Sequence, residues 1–224
     1  MNIINTLNLW DTNLFLFING IHASFFDGIM FAISAKLTWV PLYIAALYVV
    51  IKKWKRESVW VILALVLCIV IADQVSSGFI KHAVQRLRPS HAEDLKGMVH
   101  LVKGYGGGMF GFVSSHAANS FGFALLSSIL FKNRKYTFVI FGWAALLSYS
   151  RVYLGVHYPG DILGGMIVGV LAALICFFAI KKLRPSILKL QNNISQAEPT
   201  NTFIPILVLG LSFLGIIIYS LFVF

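Results

Sequence analysis

His157 and Asp161 stand four residues apart in the stretch Ser150–Asp161, SRVYLGVHYPGD. One helical turn, or the tight turn at Pro159-Gly160, brings the carboxylate to the imidazole. A carboxylate so placed fixes the ring tautomer and stabilises the imidazolium. The other ring nitrogen is then free to act as base or nucleophile. Arg151 adds a planar fork of donors suited to an oxyanion such as phosphate. An Arg, a His and an Asp near a helix end are by themselves ordinary surface residues; two upstream segments give them weight.

The first is Lys81–Pro89, KHAVQRLRP. In a helix Lys81 and Arg88 lie on nearly one face, about two turns or ~10 Å apart. Pro89 disfavours helical geometry at Arg88, which puts that arginine at the helix exit. The second is Phe112–Gly122, FVSSHAANSFG, at the start of an apolar run. Ser114, Ser115 and His116 at a helix N-terminus offer free backbone N–H groups, hydroxyl donors and a titratable ring beside the positive end of the dipole, an anion site by construction.

The elements that must position these residues are membrane helices. The chain is 58% hydrophobic and 12% charged, too apolar for a soluble domain of its size. The net charge of +10 comes from short basic clusters between apolar runs, a pattern of membrane topology and not of nucleic-acid binding. Cys68 and Cys176 fall inside apolar runs and are expected to pack in the core. No basic region followed by a cleavage site opens the chain, so no signal peptide is expected. Residues 1–22 read as an amphipathic segment at the membrane surface. Six apolar runs follow, at about 25–51, 58–80, 113–131, 136–153, 161–180 and 203–224, the last after a polar linker that reaches Asn201. The expected fold is therefore all-α, a single six-span transmembrane helical bundle over residues 1–224, and no signal for an oligomeric state stands out.

Six alternating spans place eleven basic residues, at 52–56, 132–135, 181–184 and 189, on one face. Six others, Lys81, Arg86, Arg88, Lys96, Lys103 and Arg151, lie on the opposite face. The positive-inside rule puts the larger group in the cytoplasm and both termini on the outer side of the inner membrane. A negatively charged ligand accounts for the outer bases that crowd around the motifs; lipid headgroups suit Lys96 and Lys103. Lys36 and Asp73 fall within spans, and a pair between them is expected beneath the site. His82, His91 and His100 read as solvated loop residues, and the glycine-rich loop around Tyr105 as merely loose.

Taken together, the three segments resemble the signature motifs of the type 2 phosphatidate phosphatase superfamily of integral membrane lipid phosphatases. The first family motif, Lys, six residues, Arg-Pro, is matched by Lys81, Arg88 and Pro89. The third, Ser-Arg, five residues, His, three residues, Asp, is matched by Ser150, Arg151, His157 and Asp161. The second, Pro-Ser-Gly-His, is met by Val113, Ser114, Ser115 and His116, with Val113 in place of Pro and Ser115 in place of Gly. Ser115 keeps the backbone N–H and adds a Cβ.

The resemblance implies hydrolysis of a lipid phosphate or diphosphate with no metal and no cofactor. In it His157 attacks phosphorus, Asp161 orients His157, and His116 protonates the leaving oxygen. Lys81, Arg88, Ser114, Ser115 and Arg151 hold the phosphoryl oxygens. Phosphoryl transfer needs mainly positioning and charge stabilisation, and three cations with helix N–H groups supply these. The expected substrate is a membrane lipid: undecaprenyl diphosphate, phosphatidylglycerophosphate, phosphatidate or a lipid A phosphate, with a lean towards the polyprenyl and glycerolipid members. A lipid phosphotransferase is a second reading, and an anion or lipid transporter a third.

Overall fold

The computed structural model describes residues 3–190 and 202–223. The polar linker before Asn201 lies mostly outside the described residues. The helices are α1 (Ile3–Asn19), α2 (Ser24–Ser34), α3 (Val40–Trp54), α4 (Ser58–Asp73), α5 (Lys81–Val84), α6 (Ser115–Phe131), α7 (Arg134–Tyr153), α8 (Pro159–Leu183) and α9 (Phe203–Val223). A 3-10 turn, Lys36–Trp39, joins α2 to α3, and a π-helical segment, Gln74–Ile80, joins α4 to α5. Among the described residues the chain forms no strand; Leu87 and Phe110 make one isolated antiparallel bridge. The protein is an all-α transmembrane bundle.

Apolar side chains point outward as well as inward. On α8, Leu163, Ile167, Leu171, Ile175 and Phe178 repeat at three- and four-residue steps and are all exposed, while Gly165, Gly169, Ala172, Ala173 and Cys176 face the core. A face of that kind requires hydrocarbon as its solvent. Three stretches are long and apolar enough to cross a membrane: Lys36–Val84, Pro159–Leu183 and Phe203–Phe222. The first is folded on itself. Lys55 takes a positive φ of 49° after α3, and Lys36 and Trp39 at one end line the same cavity as Asp73 and Gln74 at the other.

α6, at 17 residues and rich in serine, and α7, which carries Arg134, Lys135 and Arg151, do not meet that standard. Eleven of the 17 residues of α6 are buried, serines 120, 127 and 128 among them, so protein and not lipid is its solvent. Glycines let α8 approach it closely. A Cβ on Gly165 would run into the Ser114 carbonyl, and one on Gly169 into the Ala118 carbonyl. Across the interface a Cβ on Gly122 would lie 3.1 Å from the Gly169 carbonyl.

α9 runs beside α2 and α3. Ser220 Oγ donates to the Phe25 carbonyl at 2.9 Å, and Phe213 meets Trp39 edge-on at 5.4 Å. The run expected at 25–51 is thus α2 and α3 joined by the turn around Lys36. α1 does not continue that line; it meets α2 at 119°. One flank is not solvent-facing, because Phe15 is fully buried with Leu16 and Ile18 against Tyr158, Val152 and Leu95.

The basic clusters gather at one end of the bundle. Lys53 Nζ donates to the Leu130 carbonyl at 3.2 Å, and the Arg184 guanidinium stacks 3.9 Å from the Trp60 ring centroid. The three motifs lie at the opposite end. Cys68 and Cys176 are both free and buried.

Gly169→Val tests the close packing of α6 on α8. The added side chain has no room, so stability should fall by roughly 2–3 kcal/mol. A lower unfolding midpoint in detergent is the expected readout; an unchanged midpoint contradicts the packing described.

Candidate active site

α8 begins at Pro159 because a proline at the first helical position forfeits only an N–H that would be unpaired anyway. That start places His157 in the short loop before α8 and Asp161 in the first helical turn. His157 and Asp161 are 1% and 0% exposed, so neither is an ordinary surface residue. His157 Nδ1 lies 3.2 Å from Asp161 Oδ2. Because a carboxylate oxygen accepts there, Nδ1 carries the proton and Nε2 keeps its lone pair. The Tyr158 backbone N–H donates to the same Oδ2 at 3.1 Å.

Three cations surround this pair. Burial, and then the charges of Arg88, Arg151 and Lys81, hold the His157 ring well below the ordinary histidine range, with the Gly111 backbone pulling weakly the other way. The contact with Asp161 is therefore a hydrogen bond from a neutral ring, not an ion pair.

Arg151, at the end of α7, is 2% exposed. It donates to the Ser34 hydroxyl and, at 3.2 Å, to the Tyr105 hydroxyl. Its Nε is buried and makes no hydrogen bond among the described residues, and the same holds for Arg88 Nη1. Buried donors of this kind are costly unless an acceptor is brought to them. Arg88 leaves the helical line expected of it: Gln85 adopts the left-handed region and stops α5, and Pro89 holds Arg88 extended. Arg88 Nε donates to the Phe110 carbonyl at 3.1 Å. The loop lies so close that a Cβ on Gly107, itself at φ +66°, would strike the Arg88 guanidinium.

α6 supplies the remaining groups. Ser114 caps it, accepting from the Ala117 N–H, and its own N–H donates to the Asp161 carbonyl at 2.9 Å. Lys81 Nζ donates to Ser115 Oγ at 3.4 Å. His116 lies within electrostatic range of Arg151, His157, Lys36 and Lys81. The structure thus draws Lys81, Arg88, Ser114, Ser115, His116, Arg151, His157 and Asp161 to one end of the bundle. Among the described residues no group of three His, Cys, Asp or Glu is placed to hold a metal ion.

Four expectations need correcting. Arg86, one of the six bases expected to face a negatively charged ligand or lipid headgroups, turns inward. Its Nη1 lies 3.1 Å from Asp161 Oδ1 and 2.8 Å from Asp11 Oδ2, and the guanidinium stacks 4.0 Å from the Tyr158 ring centroid. Asp11 also accepts the Gly160 N–H at 2.7 Å, which fastens α1 to the start of α8. Tyr105 is not loose: it holds Arg151. His100 is not simply solvated: its Nε2 lies 2.9 Å from Asp27 and its backbone N–H donates to Asn19 at 2.8 Å. Lys36 and Asp73 are not joined by an ion pair among the described residues; Asp73 accepts from Asn119 Nδ2 at 3.1 Å instead.

A buried histidine oriented by a carboxylate, among three cations and beside the N-terminus of α6, is an arrangement that can accommodate a phosphate-like anion. The model of the PAP2 superfamily matches residues 58–185, which contain Lys81, Arg88, Ser114, Ser115, His116, Arg151, His157 and Asp161, and the chain belongs to that superfamily of membrane lipid phosphatases. It is 41% identical over 218 residues to the lipid A 4'-phosphatase of Bacteroides thetaiotaomicron, covering 94% of this chain and 95% of that one. It is 43% identical over 162 residues to the lipid A 4'-phosphatase of Porphyromonas gingivalis, covering 72% and 69%. Its fold is like that of the PAP2-type phosphatidylglycerolphosphate phosphatase of Bacillus subtilis, with a TM-score of 0.60, 21% identity and coverage of 80% and 89%. The protein is a phosphatase that acts on membrane lipids.

Two predictions arise from this geometry. Arg86 acts through Asp161, so Arg86→Gln should lower kcat by roughly 10–100-fold with KM little changed, and Arg86→Lys should recover part of the loss. Equal failure of both variants with loss of fold contradicts a positioning role. The His157 ring should be neutral at pH 6 in the free enzyme. Because its folded value lies below the unfolded 6.5, its contribution to stability is full above that pH and is lost as pH falls through the folded value. Nitrogen-15 spectra of histidine-labelled protein, assigned by loss of the signal in His157→Ala, check this. Titration at or above pH 6.5 contradicts it.

Proposed function

We propose that this protein removes a phosphate monoester from a saccharide-based membrane lipid of the lipid A type, without a metal ion, at the outer surface of the inner membrane. The observation that carries the reading is the His157–Asp161 pair set among Lys81, Arg88 and Arg151. Its substrate class is supported by the 41% identity that extends over 94% of the chain to a lipid A 4'-phosphatase. Among the lipid phosphates that the family resemblance left open, this reading takes the lipid A type and not the polyprenyl and glycerolipid members.

In the first step His157 Nε2 attacks phosphorus, the bond from phosphorus to the lipid oxygen breaks, and His116 gives its proton to that oxygen. Lys81, Arg88, Arg151, the Ser114 hydroxyl and the Ser115 N–H stabilise the charge on the equatorial oxygens. In the second step water attacks the phosphohistidine, His116 takes the water's proton, and the P–N bond breaks to release inorganic phosphate and neutral His157. Six membrane crossings, with both termini outside and the basic clusters inside, accord with the positive-inside rule. A phosphotransferase shares the first step and differs in its acceptor.

The test is phosphate release in detergent with EDTA from bisphosphorylated lipid A, undecaprenyl diphosphate and phosphatidylglycerophosphate. Wild type should act on lipid A in the presence of EDTA and His157→Ala should not. Preference for undecaprenyl diphosphate, loss of activity with EDTA, or full activity in His157→Ala overturns the proposal. Labelled phosphate appearing on an added acceptor lipid instead of in solution identifies a transferase.

A further inference from the structure

A cavity of about 410 Å³ opens beside the site and is not used by the chemistry described so far. It is bordered on α6 by Ser115, His116 and Asn119, on α4 and the π segment by Asp73 and Gln74, and on the opposite wall by Lys36, Trp39 and Tyr43. His157, Arg88, Arg151 and Lys81 do not line it. It therefore lies on the His116 side of the phosphoryl position, away from the nucleophile. In-line displacement puts attacking and leaving atoms on opposite sides of phosphorus. A leaving group on the His116 side would enter this cavity.

Its walls specify what that group is. Asn119 Nδ2 donates to Asp73 Oδ1 at 3.1 Å, which fixes the carboxylate at the cavity wall, and Gln74 lies next to it. Asp73 is half-buried. Its carboxylate calls for hydroxyl or amide N–H donors. Lys36 supplies a donor, and the Trp39 and Tyr43 rings supply flat apolar surface. A hydroxyl- and amide-bearing sugar ring meets all three demands. A departing phosphate meets the Asp73 carboxylate, which repels it. A bare hydrocarbon alcohol brings the Asp73 carboxylate no donor beyond its one hydroxyl.

We propose that this cavity is the leaving-group subsite, and that Asp73 and Asn119 make the enzyme selective for a saccharide-type alcohol over a prenyl diphosphate or a diacylglycerol phosphate. The inference rests on the catalytic reading above, which orients the phosphoryl group.

The experiment compares kcat/KM on bisphosphorylated lipid A, phosphatidate and undecaprenyl diphosphate for wild type, Asp73→Ser and Asn119→Ser. Both substitutions are small and polar, and turnover of phosphatidate in the same preparation reports that the site is folded. The ratio of lipid A to phosphatidate should fall by about tenfold or more in each variant, and Asp73→Ser should gain on undecaprenyl diphosphate. An unchanged ratio overturns the inference, and so does an equal fall on every lipid, which makes Asp73 and Asn119 supports of the fold. The catalytic reading fails separately, if wild-type turnover does not depend on His157.

Discussion

The end of the bundle that carries the three motifs is arranged around one buried carboxylate. Asp161 has no access to water, and a carboxylate in that position must find donors within the protein. It finds three: the His157 ring and the Tyr158 N–H on one oxygen, Arg86 on the other. Arg86 is in turn shared with Asp11, and Asp11 with the Gly160 N–H. The loop, α1 and α8 are thereby locked to the same group that sets the histidine tautomer. Buried ion pairs of this kind add little net stability, because desolvation consumes most of the Coulombic gain. Their consequence here is geometric: a short chain of contacts leaves His157 one orientation.

The same crowding sets the electrostatics. Arg88, Arg151 and Lys81 repel one another, and their effect on His157 shows how closely they converge. Tyr105 offsets part of the repulsion. Burial raises its phenol, but the charge and hydrogen bond of Arg151, with Arg88 and Lys36 behind, more than reverse that and hold it below its usual value. The remaining excess of positive charge matches a dianionic phosphoryl group. Burial first, and then these cations, favour the neutral histidine, so under the proposed reading one arrangement serves both binding and nucleophilicity.

Much of this was legible in the sequence because the motifs are short and local. His157 and Asp161 fall within a single turn, and Ser114 to His116 within one cap, so spacing alone implies their contact. The helices follow from apolar runs, and their bounds agree within a few residues, as with 161–180 against Pro159–Leu183. What was not legible was long-range. Arg86 meets a carboxylate 75 residues later, and Asp11 meets Gly160 across 149. Its being the only Asp, Glu, Lys or Arg in the amphipathic 1–22 segment was the one signal for Asp11. Lys36 and Asp73 were expected to pair because both are intramembrane charges of opposite sign. The fold instead brings Asn119 to Asp73, and an asparagine one turn beyond His116 carries no charge to advertise its role.

The two helix starts at the site differ in a way that separates support from binding. At α8, Pro159 has no N–H, the Gly160 N–H goes to Asp11, and the Asp161 N–H goes to the Tyr158 carbonyl. Its first turn is spent within the protein. At α6 the Ala117 N–H goes to the Ser114 hydroxyl and the Ala118 N–H to the Ser114 carbonyl. The Ser115 and His116 N–H groups precede any carbonyl that could accept them within the helix. The loop before α8 therefore holds His157 ahead of a helix start whose N–H groups are already paired, and α6 presents free backbone donors at the positive end of its dipole. The Ser114 N–H to the Asp161 carbonyl joins the two starts directly, and the glycines behind it keep the helices in contact. A serine in the motif's glycine position is compatible with this, because Ser115 contributes its N–H to the binding face while its hydroxyl accepts from Lys81.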